Sequence, residues 1–140
     1  VIIVLVALIL FGGQSIFSIE NVNQLPRVDI IYADVDMPAD LIDASVQRGA
    51  KGIVIAGVGN GNMPKAALAA CEKAAKSGVI VVRSSRVATG LVGRNVEIND
   101  DQMGFVASHD LNPQKSRILL TVALIQPRKA DEIQKLFYEY

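Results

Sequence analysis

Three short apolar runs constrain this chain most. Val28-Asp29-Ile30-Ile31-Tyr32, Gly52 to Ala56 and Val79-Ile80-Val81-Val82 are nearly continuous in apolar residues rather than alternating. Strands buried on both faces read this way, and such strands are usually parallel. Two helical patterns separate them. Asp36 to Arg48 has Pro38 near its start and Gly49 just past its end, and Pro64 to Ser77 is alanine-rich and closed by Gly78. Proline early and glycine late is the usual punctuation of a helix. Strand, helix, strand, helix, strand predicts a three-layer α/β domain, with a small, mostly parallel sheet of about four strands flanked by helices.

The remaining elements are shorter. Arg83 to Gly104 is polar and irregular. A loop that long is usually functional or hides a strand, with Val96 to Ile98 the candidate. Residues 105–108 read as a fourth short strand. Asn112-Pro113 then starts a helix, with asparagine as the cap and proline in the first turn. Ile118 to Ile125 is apolar almost all round, which predicts a well-buried helix ended by Pro127. Ala130, Ile133, Phe137 and Tyr140 fall at helical spacing and predict a last amphipathic helix.

With 140 residues, the chain is long enough to bury a real core in one domain. Lys+Arg and Asp+Glu are equal at 14 each, so no global charge draws it to nucleic acid or an anionic membrane. The single cysteine, Cys71, excludes an internal disulfide; among alanines on a helical pattern it reads as a small buried residue. Residues 1–12, VIIVLVALILFG, carry no charge and are too few to span a bilayer. They fit a signal-peptide core or a buried strand equally, and residues 13–27 read as a connector. The expected organisation is an N-terminal stretch over 1–24 and an α/β domain over 25–140.

Chemistry concentrates in loops. Gly57 to Asn62, GVGNGN, lies at the carboxyl end of the second run, where ligands bind in open α/β sheets. Glycines allow tight turning and close approach, and two asparagines supply amide donors and acceptors. An ordinary strand-to-helix connection reads the same way. Gly57, Gly59 and Gly61 alternate, so the dinucleotide-binding fingerprint fails, and there is no Walker sequence. Arg83-Ser84-Ser85-Arg86 suits a carboxylate or phosphate, or salt bridges within or between subunits. Glu97, near Asp100 and Asp101, could pair with a ligand ammonium group or belong to a solvated acidic loop. His109, between Ser108 and Asp110, reads as an exposed loop residue, because adjacent residues do not converge as a triad must. One histidine and one cysteine are too few, on composition alone, for the usual zinc ligand sets.

Several segments together resemble one family. LPRVDIIY (25–32), GAKGIVIAGVGNGN (49–62), VVRSSRVATG (81–90), VEINDDQMGFVAS (96–108) and LNPQKSRILLTVALIQ (111–126) match, in order and spacing, the C-terminal domain of bacterial type II L-asparaginases and the related glutaminase-asparaginases. The resemblance implies hydrolysis of the side-chain amide of L-asparagine, and in many members of L-glutamine, without metal or organic cofactor. It implies a homotetramer whose active sites lie between the N-terminal domain of one subunit and the C-terminal domain of its neighbour. A periplasmic or secreted location is also implied. The family's substrate-binding asparagine falls on Asn62, and its glutamate, seven residues past Thr89-Gly90, falls on Glu97. A carboxylate suits a substrate α-ammonium group, and an amide can orient that network.

The family's nucleophilic threonine belongs to a threonine-glycine-glycine-threonine turn of the N-terminal domain. This chain has two threonines, Thr89 and Thr121, neither in such a motif, and Phe11 stands where Ile9 to Gly13 would need the hydroxyl. No catalytic residue is therefore expected in it, and the isolated chain is expected to be inactive. A fragment of an enzyme, a decayed gene product and a freestanding amino-acid-binding or dimerisation module all fit these residues. Self-association through apolar surface is expected in each case.

Overall fold

The second and third apolar runs stand side by side at the centre of a four-stranded sheet. The computed structural model describes residues 15–140; the readings of residues 1–12 lie outside them. The strands are β1 (Val28–Tyr32), β2 (Gly52–Gly57), β3 (Ile80–Ser85) and β4 (Phe105–Ala107), in the order β1-β2-β3-β4. Every pairing is parallel. The helices are α1 (Asp40–Gln47), α2 (Lys65–Lys76), the single turn α3 (Asp100–Met103), α4 (Pro113–Ala123) and α5 (Ala130–Glu139).

Pleating divides the apolar runs between two cores. Ile31, Ile53, Ile55, Val81 and Phe105 face Ile42 of α1 and Ala67, Ala70, Cys71 and Ala74 of α2. Val28, Val54, Ile80, Val82 and Val106 face Leu119, Leu120 and Ala123 of α4 and Ile133, Leu136 and Phe137 of α5. This is the three-layer arrangement expected from uninterrupted apolar strands. Small residues set its spacing. At Gly52 an added Cβ would lie 2.6 Å from Leu120 Cδ2, so α4 rests directly on the strand. Cys71 is fully buried among the α2 alanines, and burial pushes its thiol up to about 12.

Four expectations need correction. The helix α1 begins at Asp40 rather than Asp36, which takes a left-handed turn conformation with φ +57°. β3 continues through Arg83, Ser84 and Ser85, because the ladder to Ile55, Ala56 and Gly57 accepts any side chain. Val96 to Ile98 forms no strand; Val92 instead bridges His109, and α3 follows. The helix α4 stops at Ala123 and buries one face only: Ile118 is 63% exposed. Its apolar residues outnumber the positions that reach the sheet.

Candidate functional site

Four connections, one after each strand, leave the carboxyl ends of the strands on one edge of the domain. Val58 to Asn62 is held by reciprocal backbone bonds, Val58 N–H to Asn62 O at 3.0 Å and Asn62 N–H to Val58 O at 2.8 Å. Closing five residues so tightly demands left-handed backbone at Gly59 (φ +52°) and Gly61 (φ +76°). Asn62 is half-buried and lines a pocket of about 240 Å³ with Ala33, Asp34, Val58, Met63 and Arg86. An amide, a carboxylate and a guanidinium lining one pocket are groups that can bind a zwitterionic ligand.

Glu97 lies in the connection from β3 to β4 and is exposed. Its loop is tied to that of Asn62: the Gly93 N–H donates to Asn60 Oδ1 at 2.6 Å. The tie is anchored underneath by Arg83. Its guanidinium pairs with Asp100 through two bonds, Nε to Oδ1 at 2.6 Å and Nη2 to Oδ2 at 2.7 Å. It also donates to Asn60 O at 2.6 Å and Gly93 O at 3.2 Å. Arg83 therefore makes a salt bridge within the domain, one of the alternatives left open by Arg83-Ser84-Ser85-Arg86.

Asp100 is a correction. A solvated acidic loop would leave it dispensable, whereas it is fully buried and accepts the Asn95 N–H at 2.8 Å as well. Asp101 does face solvent; bonds from Asn95 and Arg94 hold its carboxyl below the usual aspartate value. Arg94 reaches on to Phe105 O at 3.1 Å and Gln134 Oε1 at 2.7 Å. His109 is partly exposed at φ +57°, with Nδ1 3.5 Å from Asp110 and its ring edge-on to Tyr138. The neighbouring Ser108 is buried, so the three do not form a triad.

Sequence reasoning missed Asn60, Asp100, Arg94 and Gln134 as members of this network. One local signal was available. Asn99 caps α3 by accepting the Gln102 N–H at 2.9 Å, and Asn-x-x-Gln is a readable helix start that places Asp100 in the first turn.

Fold and loops together define an α/β domain that gathers its glycine-rich and polar loops at the carboxyl end of a parallel sheet. The model of the glutaminase/asparaginase C-terminal domain matches residues 27–137, and the chain belongs to that family. It is 49% identical over 124 residues to the probable periplasmic L-asparaginase of Haemophilus influenzae, covering 89% of this chain and 36% of that protein. To L-asparaginase 2 of Escherichia coli it is 46% identical over 127 residues, again 89% and 36%. The glutaminase-asparaginase of Acinetobacter glutaminasificans is 43% identical over 131 residues, covering 91% and 40%. The chain thus spans little more than a third of the length of these relatives.

Proposed function

We propose that this domain forms part of an amidohydrolase that splits the side-chain amide of L-asparagine, and secondarily of L-glutamine, into a carboxylate and ammonia. In this reading Glu97 pairs with the substrate α-ammonium group and Asn62 orients it. The threonine nucleophile comes from an asparaginase N-terminal domain of a neighbouring subunit. The names of the relatives support the substrate class, and one of those names supports a periplasmic setting.

The observation that carries the reading is the surface around Asn62 and Glu97. Val35 is 90% exposed, Val96 70%, Leu91 58%, Val87 49% and Val58 41%, all on the connections at the carboxyl edge. Exposed aliphatic side chains on the same edge as Asn62 and Glu97 suit a site completed by another protein surface. Neither threonine suits a nucleophile. Thr121 Oγ1 donates to Arg117 O within α4, on the far face of the sheet, and Thr89 stands in an exposed loop. The chain by itself is expected to release no ammonia.

The test joins residues 25–140 to an asparaginase N-terminal domain. Turnover should appear in the joined enzyme and be absent from the 140-residue chain. There, Glu97→Gln should lower kcat/KM roughly ten- to hundred-fold, the effect of losing a charged hydrogen bond. Asn62→Ala should do equal or smaller harm, and His109→Ala none. If Glu97→Gln and His109→Ala behave alike in a folded, active enzyme, the assignment is wrong.

A further inference from the structure

We propose that Arg83 and Asp100 are positioning residues, which with Asn60 set the spacing between the loop carrying Asn62 and the loop carrying Glu97. The proposal rests on the site assignment above but is tested separately from it.

Both charges are withdrawn from water, Arg83 to 1% exposure and Asp100 to none. A buried ion pair is a poor source of stability, because desolvation offsets most of the attraction and an apolar pair of similar volume often does as well. What it does supply is direction. A guanidinium is a planar fork of fixed donors, and here each edge meets a different segment. Nε and Nη2 hold Asp100, Nη2 also reaches Gly93 O, and Nη1 holds Asn60 O. The loop of Asn62 lies directly on the fork: a Cβ at Gly61 would stand 3.1 Å from Arg83 Nη1. Asn62 is the next residue.

Glu97 is held from the other side. The segment Gly93 to Asp100 is pinned at its first residue by Arg83 and Asn60 and at its last by Arg83. Between them, the Asn95 N–H is bound to Asp100 Oδ2. Glu97 therefore projects from a short arch with both feet fixed to Arg83 of β3, the residue on which the other loop rests. Because Arg83 is a β3 residue paired with Ile55 and Ala107, the arch is referred to the rigid centre of the sheet. Neither Arg83 nor Asp100 needs to touch a substrate for this.

Single substitutions confound the roles, since Arg83→Met alone would leave a buried unpaired carboxylate. The informative variant is the apolar pair Arg83→Met with Asp100→Leu. In the 140-residue chain, we expect its thermal midpoint to fall, because Asn60 O, Gly93 O and the Asn95 N–H lose their partners. Amide exchange at Gly93 and Asn95 should accelerate about tenfold or more beyond any change at Val54 and Val82, the scale of one lost hydrogen bond. Asn60→Ala keeps the ion pair and deletes only the acceptor for Gly93. It should accelerate exchange at Gly93 even if the double variant does not fold. In the joined enzyme both variants should raise KM for L-asparagine more than they lower kcat. Unchanged exchange at Gly93 in Asn60→Ala overturns the proposal, as does unchanged KM in an enzyme that Glu97→Gln impairs. If Glu97→Gln itself is harmless, the site assignment fails, and the exchange data still decide whether the pair sets the loops.

Discussion

The side-chain amide of Gln134 pairs with the backbone of Ala107 as a strand would. Its Nε2 donates to Ala107 O at 3.0 Å, and its Oε1 accepts the Ala107 N–H at 2.8 Å. A residue of α5 thereby closes the free edge of β4, which an unprotected edge strand would offer to another chain. The same Oε1 accepts from Arg94, so edge and site loop share one acceptor.

Gln134→Ala should consequently be costly for a single polar residue. It leaves a buried N–H and C=O without partners, at roughly 1–3 kcal/mol for each such group. Urea denaturation should show a loss of about 2–4 kcal/mol, partly relieved where water enters. A loss of only a few tenths would mean that the edge is satisfied some other way.

Gly57→Ala should disrupt the Asn62 loop from below. Its Cβ would fall 2.6 Å from both Asn62 O and Gly61 C, and these are backbone atoms that cannot swing aside. Relieving the clash requires opening the Val58–Asn62 bridge. A destabilisation of about 1–3 kcal/mol is expected by analogy with overpacked cores. In the joined enzyme the kcat/KM should fall at least as far as with Asn62→Ala. A parent-like crystal structure of the variant would refute this.

The loop of Glu97 should loosen in acid. Bonds from Asn95 and Arg94 depress the Asp101 carboxyl, so their stabilisation is fully present above its unfolded value, about 3.9. It is lost as pH falls through the lower folded value. The Asn95 side-chain amide signals should move with the Asp101 carboxyl carbon in an NMR titration, at a midpoint below that of a free aspartate. Asp101→Asn should abolish the shift. A midpoint at or above the ordinary value would contradict it.

Cys71 should be inert while the domain is folded. Burial both covers the sulfur and holds it in the neutral thiol form, since its pKa is raised to about 12. Labelling by a thiol reagent at pH 8 should require unfolding and should speed up with urea in step with loss of helical signal. Fast labelling of the native chain would show that α2 opens locally.

What the sequence determined by itself was local or repetitive. Uninterrupted apolar runs specify strands with two buried faces, and Ile53, Val54 and Ile55 take opposite sides because the pleat has a period of two. The Asn112 cap was legible because a cap bonds three residues away, to the Lys115 N–H. Motifs in family order were enough to place the chain in its family. The tertiary structure alone decided which polar residues meet. Arg83 finds Asp100 at a separation of 17 residues, and Gln134 finds Ala107 at 27. Neither pairing has a periodic signature, since each depends on sheet order and on where a helix packs. It also chose which apolar side chains stay in water. Ile118 and Leu120 read alike in sequence, but with 3.6 residues per turn only one face of α4 can meet the sheet.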